Sequence, residues 1–571
     1  MSAVSSTPSR THSPIANQSF PGIYVRERTP PPTVENRAEL PDGKEDYEMA
    51  IQTSSPVVLS PDDISRGRVN YKPIPEKRML GYMSTAALII NKMIGTGIFS
   101  TPSSVLASAG SKGGSLFLWV TGALMTLSGL IVYLEFGLAL PFNGGELVYL
   151  DESYTTPRYL ASCMFAILFV LLGNTAANSI AFAKHMLGAF SDDPNPDYRL
   201  QKFVALICIS FICLIHLFSR NMGLYVNNTL ALYKVALLIF VVVTGFVCLG
   251  GGGGKHLKAG DTYGVKNLEN AFTGAPRSPH DYASAMLHIL YSFQGWENAN
   301  YVLAEVKRPR EDPTKTFKRA ALVAFSLVSV LYILANVAYV FGDGAFVKRG
   351  LKVLIAMSAF GNIVAVTYTS SRVKQEIAKL RILPFSQYWA RESPYNTPVG
   401  ALTLHWIFTA IIIIATPNYS QNDEAYSLVS VLFTYAHTWV GVFVAIGLVT
   451  LRYHRNFLEW QPVVVGWKTL YVLVGFYITS NIFIITLIWW PSVSTIPSYI
   501  APTVATGVLA FGVIYWVGFA KVLPALGYEI DSEPDELIDG SRVVTYKRFK
   551  TGFAKRVSSW WDVKLKKGSN Q

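Results

Sequence analysis

The chain has 571 residues, 51% of them hydrophobic and only 15% charged, whereas soluble domains carry roughly 25% charged residues. That deficit weighs against a soluble enzyme. The formal charge of +12 does not point to nucleic acid, because the basic residues are dispersed between long apolar stretches, as in the short cytoplasmic loops of a membrane protein.

Residues 1–70 are rich in Ser, Thr and Pro, including the run Thr29-Pro30-Pro31-Pro32. They cannot bury enough apolar surface to offset the entropy of ordering, and we expect a disordered cytoplasmic tail. The first 20 residues lack the apolar core of a signal peptide, so the first membrane helix is expected to act as the targeting signal. A transmembrane domain is expected over 78–525, with spans at about 80–106, 114–140, 158–187, 200–219, 222–249, 283–304, 319–342, 351–377, 398–417, 425–451, 464–490 and 498–522. The four cysteines, Cys163, Cys208, Cys213 and Cys248, all fall within these spans, at spacings that suit neither a disulfide framework nor zinc.

Span one contains Asn91-Lys92-Met93-Ile94-Gly95-Thr96-Gly97-Ile98-Phe99. Each glycine lowers helix propensity by roughly 1 kcal/mol, although small residues also serve close helix packing in membranes. In span five, Lys234 either occupies a functional buried position or extends toward the cytoplasm. The run Gly250–Gly254 before Lys255 lacks the Ser or Thr of a phosphate loop, with His256 in that place, and reads as a flexible external loop. Span six contains Tyr291-Ser292-Phe293-Gln294-Gly295-Trp296-Glu297-Asn298, again with glycine and polar residues at mid-depth. Glu297 is either a functional intramembrane carboxylate or one facing the cytosol beyond a break.

Two interruptions five spans apart are the expected mark of an inverted-repeat transporter, in which helix ends face an anion and freed carbonyls face a cation. An amino acid zwitterion carries both charges on neighbouring atoms. The fold class expected is therefore an all-α membrane protein of about 12 transmembrane helices, five-plus-five, with helices 1 and 6 broken. Lys307, Arg308, Arg310, Lys315, Lys318 and Arg319 share one loop, and Arg372, Lys374, Lys379, Arg381 and Arg391 share another. Placing both loops in the cytoplasm puts both termini there, including the basic tail 526–571 with Trp560-Trp561.

Gly95-Thr96-Gly97-Ile98-Phe99 resembles the first-span motif of the amino acid–polyamine–organocation superfamily. Tyr133-Leu134-Glu135-Phe136-Gly137 with Pro141-Phe142-Asn143-Gly144-Gly145-Glu146 resembles the second-span signature of its L-type amino acid transporter branch. Phe293–Asn298 with Glu305-Val306-Lys307-Arg308-Pro309, and Ser358-Ala359-Phe360-Gly361 with Ser370-Ser371-Arg372 and Leu383-Pro384, resemble its sixth and eighth spans. Within that superfamily the wording is most similar to fungal methionine permeases.

The resemblance implies a substrate carboxylate at Gly95, Thr96 and Gly97, and an amine on carbonyls of Met93, Tyr291 and Gln294. Tyr291 takes the place of an aromatic gate, and Ile94, Gly295, Trp296 and Asn174 are expected around the pocket. Glu297 departs from the Asn frequent in the branch, which leaves amine contact and proton carriage both open. Sodium-independent relatives carry a lysine at the position of Lys234, with its ammonium in the space of a sodium ion between spans one, five and eight; Ser358 is the candidate partner.

The resemblance also implies a plasma-membrane permease for neutral amino acids, methionine foremost. Proton coupling is the preferred drive and exchange the alternative, with no cofactor, metal or nucleic acid. Only Gly342–Gly350 separates spans seven and eight, less than the family usually has there. The loop Ser191–Leu200 lacks the cysteine by which animal relatives join a heavy chain, so no disulfide-linked subunit is expected. A non-transporting amino acid receptor is the rival from another class; it would bind labelled methionine without accumulating it.

Overall fold

The computed structural model describes residues 80–190, 197–249, 270–274, 278–309, 312, 314–341, 350–395, 397–416, 424–451, 461–491, 497, 499–536 and 542–550. The N-terminal tail, Asp192 and Asp193, Gly250–Gly254, Arg310, the bulk of the linker before span eight and the tail beyond 550 lie outside the described residues.

Twelve spans follow in chain order. Span one is α1 (Tyr82–Met93) and α2 (Gly97–Ala109), and span two is α3 (Lys112–Ala139). A short helix α4 (Glu146–Ser153) fills the loop before span three, which is α5 (Leu160–Leu172) plus α6 (Ala176–Phe190). Spans four and five are α7 (Tyr198–Phe218) and α8 (Arg220–Leu249). Span six is α9 (Pro279–Phe293) followed by a 3-10 turn at Asn298–Tyr301, and a second turn, Leu303–Glu305, leads out of it. Then come α10 (Lys315–Phe341), α11 (Gly350–Lys379), the short α12 (Ser386–Trp389), α13 (Val399–Ala415), α14 (Glu424–Leu451), α15 (Trp467–Leu487) and α16 (Ile500–Val517). Later in the chain, strands β1 (Tyr528–Glu536) and β2 (Arg542–Lys550) form a two-stranded sheet.

Among the described residues, nine helices are long and apolar enough to cross a bilayer, and Val399–Ala415 is a shorter apolar one. The interrupted spans one and six complete the twelve, because neither half of a broken helix reaches the roughly 20 residues that a crossing needs. Leu232, Val472 and Ile514 are 73%, 70% and 66% exposed. Such an apolar exterior suits hydrocarbon rather than water.

Local chemistry sets the helix ends. Ser278 and Asp281 form a reciprocal capping box at the start of α9, where Pro279 occupies a position needing no amide donor. Ser111 caps α3 by accepting from Gly114 N at 3.2 Å. Glu135, deep in span two, accepts from the amides of Val463, Val464 and Val465 at 2.8, 2.7 and 3.2 Å, tying the turn before α15 to the bundle.

One end of the bundle is clipped shut at backbone level. Leu80 donates to Glu305 O at 3.0 Å, and Lys307 donates back to Leu80 O at 2.8 Å, so the entry to span one pairs with the exit of span six. At the same end the Glu305 carboxylate receives Arg220, Arg372 at 3.0 Å and the Tyr368 hydroxyl at 2.5 Å.

Candidate functional site

Span one loses its helical pairing where the glycines stand. Ile94 N still reaches Ile90 O at 2.9 Å, but Gly95 N turns back to Met93 O at 2.8 Å and a new helix starts at Gly97. The first amides of a helix have no intrahelical acceptors; Phe99 and Ser100 direct theirs to Thr96 O, at 3.1 and 2.9 Å. Gly97 is required by contact, since a Cβ there would come within 2.8 Å of Ser292 Cα in α9.

Span six breaks through Gly295, whose φ of +127° suits only glycine and whose Cβ would lie 2.6 Å from Met93 N. The two breaks therefore touch each other. The Tyr332 hydroxyl donates to both, meeting Met93 O at 2.6 Å and Ser292 O at 3.1 Å. Glu297, fully buried, accepts Gly295 N at 2.9 Å and pairs with Lys92 Nζ at 2.6 Å. Glu297 is thus held by Lys92 and by the break itself. Below it, Glu146 at the start of α4 accepts the Tyr301 hydroxyl at 3.1 Å.

A third interruption, not anticipated from the sequence, lies in span three. The helix stops at Leu172 and restarts at Ala176, with Asn174 as the joint: its amide side chain donates to Leu171 O and Leu172 O and accepts Ala176 N at 2.9 Å. Asn178, one turn on, accepts the Thr96 hydroxyl at 2.9 Å and donates to the Tyr291 hydroxyl at 3.5 Å.

These breaks enclose a cavity. Met93, Gly95, Thr96, Gly97, Tyr291 and Gln294 line it, as does Asn174. Ile94, Gly295, Trp296 and Glu297 do not; Trp296 packs instead on Tyr133, ring centroids 4.7 Å apart. Sequence reasoning missed Lys92, Asn178 and Asn362 in the wall, together with the apolar side formed by Phe169, Val429 and Phe433. Asn362 donates to Lys92 O at 2.5 Å from span eight, a partner that no local motif announces.

Lys234 is fully buried and donates to Asn91 O at 2.6 Å, one of the carbonyls freed by the first break. It does not extend to a loop. Its stem passes Gly361, where a Cβ would lie 2.8 Å from Lys234 Cε. Ser358 stands nearby but serves other atoms, donating to Ile94 O and Gly95 O at 3.2 and 3.1 Å.

A cavity between interrupted helices, inside a bundle of apolar spans, defines an integral multi-pass membrane transporter rather than an enzyme. The amino acid permease family matches residues 80–343 and 340–519, and the chain belongs to it. It is 32% identical over 484 residues to the high-affinity methionine permease of Saccharomyces cerevisiae, covering 79% of this chain and 81% of that protein. Identity to the low-affinity methionine permease of the same yeast is 29% over 410 residues, covering 68% and 72%. Identity to the b(0,+)-type amino acid transporter 1 of Homo sapiens is 26% over 408 residues, covering 67% and 78%.

Proposed function

We propose that this permease imports a neutral L-amino acid, methionine being the substrate that two relatives are named for. It would do so across the plasma membrane by alternating access, with protons as the coupling ion and both termini in the cytoplasm. The observation that supports this reading is the meeting of the two broken spans, which Tyr332 joins through a carbonyl of each, at one cavity lined by Met93, Gly95–Gly97, Tyr291 and Gln294.

The substrate carboxylate sits on the amides of Gly95, Thr96 and Gly97 and on the Thr96 hydroxyl. Its amine is taken by carbonyls of Met93, Tyr291 and Gln294, under the Tyr291 ring. The side chain lies toward Phe169, Val429 and Phe433, an uncharged wall that suits a thioether. Glu297 keeps the second break in shape through Lys92 and is not an amine contact. Lys234 exchanges a proton at the carbonyl of Asn91, in place of a bound sodium ion. Ser358 orients the Ile94 and Gly95 carbonyls beside it. No disulfide-linked subunit is needed.

Uptake of a panel of labelled amino acids into proteoliposomes, with and without an imposed pH gradient, tests this reading. Methionine accumulation driven by an acidic exterior is expected. Uptake that ignores the gradient but requires internal amino acid would replace symport by exchange, and binding without accumulation would favour a receptor.

A further inference from the structure

Lys234 stands at the first helix interruption and Lys92 pairs with Glu297 at the second. A further lysine, Lys374 of α11, stands at the span-three break and has no part in the machinery above. Lys374 is fully buried, and its Nζ lies 2.7 Å from Gly173 O and 3.0 Å from His405 Nδ1. The Gly173 carbonyl is one that the span-three break takes out of the helix, and Gly173 and Asn174 both line the cavity. The Phe169 ring, also in the cavity wall, lies 5.5 Å from the same nitrogen.

Among the described residues, no carboxylate lies within ion-pair distance of Lys374. Its two acceptors are a carbonyl and an imidazole. Two basic nitrogens 3.0 Å apart take up at most one added proton between them, because a second charge at that distance in an apolar interior is strongly disfavoured. His405 is itself fully buried, and its Nε2 has no hydrogen-bond partner.

The described carboxylates of α11 and of the turns after α9 are engaged elsewhere: Glu376 with Lys379, Glu305 with Arg372 and Arg220, and Glu297 with Lys92. On α7 stand Cys213 and His216, and His216 is engaged with Val364 O at 3.0 Å. On α8, Arg220 turns to Glu305 and Lys234 to Asn91; on α1, Lys92 turns to Glu297. On α11 itself Arg372 turns to Glu305, and Tyr301, in the turn beside it, turns to Glu146. Lys184 and His185 of α6 stand roughly 12 Å or more along the axis from the break, at about 1.5 Å per residue.

We propose that Lys374 and His405 together form a second proton-binding site, which sets the geometry of the span-three break and, through Gly173 and Asn174, the substrate-facing wall. This inference rests on the proton-coupled reading given above. With the proton bound, the ammonium makes charge-assisted contacts to Gly173 O and His405 Nδ1. The step is a proton transfer alone: Nζ gives its proton to water reaching the break from the cavity. The amine left behind keeps two N–H groups for the same two acceptors. The bond to Gly173 O then loses its charge assistance, roughly half its strength. The break relaxes, and the cavity wall moves with it.

The test measures labelled methionine in reconstituted wild type, Lys374→Gln and His405→Gln, as uptake against external pH and as exchange against internal methionine. Lys374→Gln keeps a donor for Gly173 O but binds no proton, so it is expected to exchange while losing roughly tenfold of its acid stimulation, a typical coupling between two sites. His405→Gln keeps an acceptor for the ammonium and is expected to shift the midpoint of the pH profile. If Lys374→Gln neither transports nor exchanges, the midpoint of His405→Gln decides, and an unmoved midpoint overturns the proposal. Variants that reproduce a pH-responsive wild-type profile overturn this inference alone. A wild type indifferent to pH overturns the proton-coupled reading beneath it.

Discussion

Lys92 and Glu297 join the two broken spans through an ion pair of 2.6 Å, with side chains only 7% and 0% exposed. Each charge sits beside a break, and neither has access to a loop. Removing one partner leaves the other buried and unpaired, which typically costs about 3–5 kcal/mol. We therefore expect Glu297→Gln and Lys92→Met each to lower thermal stability in detergent markedly, and the double variant to lose much less than the sum. Additive losses would show that the pair does not act as a unit.

Tyr332 bonds to both breaks at once. Tyr332→Phe keeps the ring and deletes two hydrogen bonds to buried carbonyls, a loss of about 1–3 kcal/mol. The expected result is a KM for methionine uptake raised roughly tenfold, following from that energy at about 1.4 kcal/mol per decade. An unchanged KM would detach Tyr332 from the geometry of the cavity.

Glu305 lies past the end of span six. Burial alone would raise its carboxyl, but Arg372 and Arg220 outweigh burial and hold it below the ordinary carboxylate range. A depressed folded-state pKa gives stability that is complete above the unfolded value and lost only as pH falls through the folded one. The clip between Leu80 and the Glu305–Lys307 segment should hold from neutral pH down to strong acid. In Glu305→Gln, hydrogen exchange at the Leu80 and Lys307 amides should rise roughly tenfold or more. Unchanged protection would show that the backbone bridge closes this end without the carboxylate.

In the loop between spans two and three, burial and then the neighbouring Asp151 push Glu152 up to about 7. The folded protein therefore keeps a proton that the unfolded chain, with an ordinary value near 4.3, gives up. Stability falls as pH rises between those two values and is flat above them, by an amount on the order of 3–4 kcal/mol. Glu152→Gln should abolish this slope and raise Tm near neutral pH. A wild-type Tm independent of pH over that interval would contradict the assignment.

The breaks in spans one and six were legible because glycines and polar residues interrupt otherwise apolar stretches at matching depth. The span-three break was not. Gly173-Asn174-Thr175 is a brief polar interval in a long apolar helix, and what opens it includes Lys374, two hundred residues further on. Glu297 is legible as an intramembrane charge, yet nothing local says that it meets Lys92. The resemblance offers Ser358 as a partner for Lys234, but no local sequence signal shows that its hydroxyl also reaches the carbonyls of Ile94 and Gly95. The family resemblance puts Trp296 and Ile94 at the pocket, but neither lines the cavity. Trp296 goes to Tyr133.

The most direct measurement is an experimental density map of the protein with saturating L-methionine. The account predicts ligand density with its carboxylate at Gly95–Gly97, its amine toward Met93, Tyr291 and Gln294, and its thioether among Phe169, Val429 and Phe433. Continuous helices through Gly95 and Gly295, or methionine bound away from both, would contradict it.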